Sequence, residues 1–137
     1  MILLDTAALV IVAGARPLAR AAARRIEEAE AQNATISVSA ATAWELCLLE
    51  RLARTGPLIA YDGAGFFREA VTRMSLQVVP VTADIAIESR RLPGALHPDP
   101  ADRFIVATAR LGGQCIVTSD RAILDYAEAG HVSAVGC

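Results

Sequence analysis

The chain has 137 residues, 54% of them hydrophobic and only 4% aromatic, with a formal net charge of −2 at pH 7. That length buries an aliphatic core in one domain, and so balanced a charge is no bulk footprint of a nucleic-acid binder, although a local patch stays open. All 13 basic residues are arginine, which excludes chemistry that needs a lysine, such as a Schiff base, a Walker-type phosphate loop or a receiver-domain switch.

Ile2-Leu3-Leu4 is a short apolar run ending in Asp5-Thr6. It reads as a buried strand with a carboxylate at its C-terminal end. A short helix over 7–13 follows, closed by Gly14. Asp5 can cap that helix, with Thr6 as a competing cap. A second helix is expected over 17–31. Arg16, Arg20 and Arg24 recur every four residues, with Arg25 beside them. The stripe reads first as a solvated face pairing with Glu27 and Glu28, and second as a contact for RNA phosphates or an acidic partner.

Thr35-Ile36-Ser37-Val38-Ser39 alternates and is rich in β-branched residues, which marks a second strand. The helix expected over 40–53 carries Glu45 among Trp44, Leu46, Leu48, Leu49 and Leu52. A carboxylate in such apolar company needs a reason. Either Thr42-Ala43-Trp44-Glu45 forms a capping box, or Glu45 faces a polar cleft from the first turns of the helix. Thr55-Gly56-Pro57 marks a turn. A helix over 62–74 would pack through Phe66, Phe67, Ala70 and Val71.

The run 77–81 is a third strand, and Pro80 places it at a strand end or sheet edge. Thr82 or Asp84 caps a helix over 82–92. Then comes His97-Pro98-Asp99-Pro100-Ala101-Asp102-Arg103-Phe104. Asp99 reads as an N-cap, Pro100 as the first helical residue, and Asp102 as the third, where it complements the helix dipole. That helix runs to Leu111, and Gly112-Gly113 break it. Gln114-Cys115-Ile116-Val117-Thr118 is a fourth strand ending in Ser119-Asp120-Arg121, followed by a short helix through Tyr126. This repeats the strand, carboxylate, helix pattern at Asp5. Val132-Ser133-Ala134-Val135 forms a last strand.

The alternation predicts an α/β fold with a largely parallel sheet and helices on both faces. Ligands in such sheets bind beyond the C-terminal strand ends, at the switch point of the strand order. Asp5 and Asp120 stand at strand ends, and Glu45 and Asp102 near helix starts can point into the same crevice. Clustered carboxylates repel unless a cation intervenes, and hard oxygen donors suit Mg²⁺ or Mn²⁺. Such a site suits phosphodiester hydrolysis with one or two metal ions. His97 and His131 are too few and too scattered for zinc. Cys47, Cys115 and Cys137 contain no C-x-x-C, so a disulfide framework is not expected and a reducing cytoplasm fits. Asp5 interrupts the first apolar run, so no signal peptide is expected, and no run reaches membrane-spanning length.

Ile2-Leu3-Leu4-Asp5-Thr6, Ser37-Val38-Ser39 through Trp44-Glu45-Leu46, His97-Pro98-Asp99-Pro100-Ala101-Asp102-Arg103, and Val117-Thr118-Ser119-Asp120 resemble, in order and spacing, the motifs of PIN-domain ribonucleases. The Trp-Glu pair and the His-x-Asp-Pro-x-Asp-Arg stretch are most similar to VapC-type toxins of bacterial type II toxin–antitoxin pairs. The resemblance covers essentially the whole chain and implies a single PIN-like domain over 1–137, a three-layer α/β/α sandwich around about five strands. It implies that Asp5, Glu45, Asp102 and Asp120 are the catalytic quartet that holds Mg²⁺ or Mn²⁺. Thr6, Asp99, Arg103 and Thr118 or Ser119 would support them, Arg103 by orienting a carboxylate or touching a phosphate. It further implies metal-dependent endoribonuclease activity on RNA, a homodimer, a cognate antitoxin protein that blocks the site, and no membrane. Two positions depart from the pattern. Leu48-Leu49 intervene before Arg51, where a basic residue often follows more closely, and Ala101 stands where relatives commonly carry an aromatic. Neither removes a ligand.

Other readings fit less well. A haloacid-dehalogenase-like phosphatase would place a second Asp two residues after Asp5, and position 7 is Ala. A dinucleotide-binding domain would show G-x-G-x-x-G after the first strand, and Gly14 stands alone. The remaining alternative is a PIN-like module that binds RNA or a protein without cutting. Leu48, Leu52, Phe66 and Phe67 are expected in the core or at dimer or antitoxin contacts.

Overall fold

Strand β1 (Ile2–Leu4) is buried at all three positions, as a strand covered on both faces must be. The computed structural model describes residues 1–52 and 62–137. Among them are four further strands: β2 (Ile36–Ser39), β3 (Gln77–Val79), β4 (Cys115–Thr118) and β5 (Ser133–Gly136). All pairings are parallel, and the order is β3-β2-β1-β4-β5. The chain builds outward from β1 to β3, then returns to the other side of β1. The order therefore reverses between β1 and β4, which makes a crevice at their C-terminal ends.

Seven helices lie among the described residues: α1 (Thr6–Ala13), α2 (Arg20–Ala31), α3 (Ala40–Leu52), α4 (Gly63–Arg73), α5 (Ala83–Arg91), α6 (Pro100–Gly112) and α7 (Arg121–Glu128). Side chains alternate across the sheet. Ile2, Leu4, Val38 and Val117 pack against Leu9, Ala22, Leu46 and Phe67 of α1 to α4. Leu3 and Ile116 pack the opposite way, against Ile85, Ile105, Val106 and Ile123 of α5 to α7. The result is the three-layer α/β/α sandwich expected from the sequence.

Most element ends fall within two residues of expectation because their caps are local. Asp62 caps α4 and Thr82 caps α5, while Gly113 closes α6 in the left-handed conformation at φ 60°. Strand β3 is an edge strand that stops before Pro80. Helix α2 departs more: it starts at Arg20, not at Pro17. Ala15 takes a positive φ of 51°, and Leu18 packs on the core before the helix begins. Docking of that turn overrides the proline signal. Arg24 and Arg25 both pair with Glu28, at 3.0 and 3.8 Å, as a solvated face would.

Phe67 is buried and Phe66 packs partly buried against the core, whereas Leu48 is exposed. The Leu52 side chain and the expected turn at 55–57 lie outside the described residues. Gly63 lets α4 approach α3 closely. A Cβ there would fall 2.5 Å from the Leu46 carbonyl oxygen. Among the described residues no helix is long and apolar enough to cross a membrane.

Candidate active site

Each of the two strands flanking the switch point runs into a carboxylate. The Asp5 N–H donates to Val117 O of β4 at 3.1 Å, which locks it to the neighbouring strand. Its Oδ1 accepts the Ala8 N–H at 2.6 Å and caps α1. Asp120 does the same after β4, accepting from Ala122 N–H at 2.6 Å and Ile123 N–H at 3.3 Å. Capping and display in the crevice are therefore not alternatives. The helix uses one oxygen and fixes the side-chain direction; the Asp120 Oδ2 stays free of the helix and lies 3.8 Å from His97 Nε2. Thr118 links the two aspartates. Its buried hydroxyl accepts the Asp120 N–H at 2.8 Å and bonds the Asp5 side chain. Ser119 is exposed, so Thr118 is the residue of that pair built into the crevice.

Glu45 reaches the crevice from α3. That helix starts at Ala40, with Ser39 Oγ accepting the Ala41 N–H at 3.2 Å. Thr42 lies inside the helix, so the capping box does not form. Glu45 instead accepts a short hydrogen bond from the Thr6 hydroxyl, and Thr6 Oγ1 also lies 3.3 Å from Thr42 Oγ1. Asp102 comes from the first turn of α6. Asp99 caps that helix through the Ala101 N–H at 2.9 Å, and Pro100 opens it, as expected.

Arg103 pairs with no carboxylate among the described residues. Its Nε donates to Ser89 O at 2.8 Å and its Nη1 to Leu96 O at 3.0 Å, so it ties the segment before α6 to α5. His97, which the sequence does not mark as part of the site, places its Nε2 3.3 Å from Asp102 Oδ2. Ligand atoms of His97, Asp102 and Asp120 all fall within 4.8 Å of one another. The signal that could have found it is its place two residues ahead of the Asp99 cap, on the stretch that carries Asp102.

The carboxylates feel one another. Burial pushes Asp102 from 3.8 up to about 7, and the charges of Asp99, Asp120, Glu45 and Asp5 add to the rise. Burial pushes Asp5 up to about 6, against the Thr118 and Ala8 hydrogen bonds and with help from Glu45 and Asp120. Burial also raises Glu45, opposed by the Thr6 hydroxyl and reinforced by Asp99 and Asp120. Among the described residues, arginines pair with Glu28, Glu69, Glu88, Asp125 and Glu128, and none pairs with these five carboxylates. The crevice thus concentrates negative charge that no arginine among the described residues balances. Hard oxygen donors in that state fit a divalent cation such as Mg²⁺ or Mn²⁺, whose charge would reverse the rise of the carboxyls.

The PIN domain family profile matches residues 2–129. No curated protein matches the chain. Among solved structures, the chain is similar to VapBC2 from Rickettsia felis, solved with a DNA fragment from their promoter, at TM-score 0.67 and 17% identity over 100% of this chain and 99% of that one. It is similar to FitAcB from Neisseria gonorrhoeae at TM-score 0.59 and 22% identity, over 98% of this chain and 96% of that one. It is also similar to VapBC-5 from Mycobacterium tuberculosis, a member of the VapBC family of toxin–antitoxin systems, at TM-score 0.60 and 17% identity, over 98% and 97% of the two chains. At those identities the likeness speaks for the fold alone. The profile match spans nearly the whole chain, and the chain belongs to the PIN domain family.

Proposed function

We propose that the chain, as one PIN domain, is a metal-dependent endoribonuclease and the toxin of a VapC-type toxin–antitoxin pair. What supports this reading is the mutual electrostatic effect of Asp5, Glu45, Asp102 and Asp120 about the switch point, with ligand atoms of Asp102 and Asp120 within 4.8 Å and no arginine among the described residues pairing with any of the four. Several fold neighbours are VapBC assemblies, which supports a toxin partnered by an antitoxin.

In this reading Asp5, Glu45, Asp102 and Asp120 hold Mg²⁺ or Mn²⁺. When bound, such a cation clamps a phosphodiester and supplies the acidity that makes water a nucleophile at neutral pH. The protein's own part is positioning. The Ala8 and Ala122 N–H groups aim Asp5 and Asp120, Thr6 aims Glu45, and the first turn of α6 presents Asp102. Asp99 and Thr118 support these from the helix cap and the strand end. The substrate is RNA, which would enter at the C-terminal ends of β1 and β4.

Apolar surface beside the crevice supports protein partners. Trp44 and Leu48, one turn apart on α3, are 54% and 40% exposed. Trp44 also borders an apolar cavity of 310 Å³ with Ala40, Ala41, Val81, Pro100 and Phe104. A second copy in a homodimer, or the antitoxin, would cover this face, and the protein would act in the cytoplasm.

The test is cleavage of a mixed tRNA, rRNA and mRNA pool by purified protein with Mg²⁺, Mn²⁺ or EDTA, beside Asp102→Asn. Cutting that needs the cation and is lost in the variant is expected. No cutting by folded, cation-loaded protein would overturn the nuclease reading and leave a binding module.

A further inference from the structure

We propose that His97 is a positioning residue that holds Asp102 and Asp120 together through its Nε2–H and stays outside the coordination sphere of a bound divalent cation. The argument begins at the other ring nitrogen. Nδ1 accepts the main-chain N–H of Asp99 at 3.3 Å. In the neutral ring the proton therefore sits on Nε2. That Nε2 lies 3.3 Å from Asp102 Oδ2 and 3.8 Å from Asp120 Oδ2, so the protonated ring edge faces both carboxylates at contact distance.

A nitrogen that carries a proton has no lone pair to give a metal. To become a ligand, His97 would have to move its proton to Nδ1, where it would face the Asp99 N–H, donor against donor. The spacing of His97, Asp102 and Asp120 taken alone would fit a mixed nitrogen and oxygen site. The Asp99 contact decides against it and leaves Asp102 and Asp120 as oxygen donors there, the donor type that hard cations select.

The segment carrying His97 is built for a fixed position. Arg103 holds Leu96 O just before it, and Asp99 just after it caps α6. Both Arg103 and Asp99 belong to the same helix start as Asp102. The imidazole and the carboxylate it meets are therefore mounted on one rigid unit. Partners that orient a metal ligand from outside typically change metal affinity about 10–100-fold when removed.

This inference rests on the metal reading above, and its test does not need RNA. Wild type, His97→Ala and His97→Gln are compared after circular dichroism confirms that each folds. A long-range ¹H–¹⁵N correlation on metal-free wild type at pH 8 should show His97 protonated on Nε2 and bare on Nδ1; a proton on Nδ1 overturns the proposal. Calorimetric titration with Mn²⁺ should show about 10–100-fold weaker binding in His97→Ala. His97→Gln, which keeps an N–H donor near the Nε2 position, should recover most of it. Unchanged affinity in His97→Ala overturns the positioning role. Pulsed electron paramagnetic resonance on bound Mn²⁺ should show no directly bound ¹⁴N; such a coupling, lost in His97→Ala, would make His97 a ligand and overturn the proposal. Wild type that takes up no Mn²⁺ would end both the metal reading and this one. Wild type that binds Mn²⁺ and cuts no RNA would end only the nuclease reading.

Discussion

Asp102→Asn is expected to make the metal-free protein more stable at pH 8. In the folded protein, burial and neighbouring carboxylates hold Asp102 up at about 7, against 3.8 for an ordinary aspartate. Between those values the folded state keeps a proton that the unfolded state has lost. Stability from this group is therefore fully present below about pH 4 and is lost as pH rises through about 7. At about 1.4 kcal/mol for each tenfold change in proton affinity, full conversion would set a ceiling of about 4 kcal/mol at pH 8. The side chain is 18% exposed and shares its repulsion with four neighbours. Solvent screening and relaxation of those neighbours reduce the figure to about 2 kcal/mol.

One effect opposes the gain. Ionised Asp102 in the first turn of α6 interacts with the helix dipole, by roughly 0.5 kcal/mol, and Asn loses that. No cap is lost, because Asp99 performs the capping. The net expectation is a gain of about 1.5 kcal/mol, or about 5 °C in Tm for a chain of this length. Thermal melts of the metal-free protein at pH 4 and pH 8 read it directly. The gap should shrink to under about 0.5 kcal/mol at pH 4, where the unfolded carboxyl has only begun to ionise and the folded one is protonated. Saturating Mn²⁺ should reverse the order, because the wild type gains binding energy that the variant lacks. A variant no more stable than wild type at pH 8, or equally stabilised at both pH values, would refute the reasoning.

Three further outcomes follow from single contacts. Thr6→Val keeps the volume but removes the donor to Glu45, so Mn²⁺ affinity should fall about tenfold by calorimetry; equal affinity would remove Thr6 from the site. Gly63→Ala places a Cβ against the Leu46 carbonyl and should lower stability by about 1–3 kcal/mol in urea titrations, whereas no loss would contradict the close α3–α4 approach. Arg103→Lys keeps the charge but cannot bridge Ser89 O and Leu96 O together, so it should lose about 1–2 kcal/mol. A lysine variant with full stability but weakened RNA cleavage would return Arg103 to a phosphate-contacting role.

Much of the fold was legible because its signals are local. Asp5, Asp62, Thr82, Asp99 and Asp120 each bond an N–H two or three residues ahead, so the sequence marks those helix starts without knowledge of the fold. Pro80 and Gly113 end their elements for equally local reasons. Where a distant contact competes, the local signal fails. Pro17 predicts a helix start, but Leu18 docks on the core first and α2 begins at Arg20. The choice between a capping box and a cleft for Glu45 was likewise beyond the sequence, since its partner Thr6 lies 39 residues away.

By itself, then, the amino-acid order determined an α/β chain whose strands deliver carboxylates to helix N-termini, because each such turn is closed by hydrogen bonds within a few residues. The tertiary structure alone decided that those turns meet. The strand order reverses between β1 and β4, which brings Asp5 and Asp120 side by side, and packing of α3 and α6 across the sheet edge adds Glu45 and Asp102. The use of Arg103 on main-chain carbonyls and the reach of His97 to both Asp102 and Asp120 depend on the same assembly. Such contacts join residues far apart in the chain, and only the closing of the sheet and its helical layers makes them neighbours.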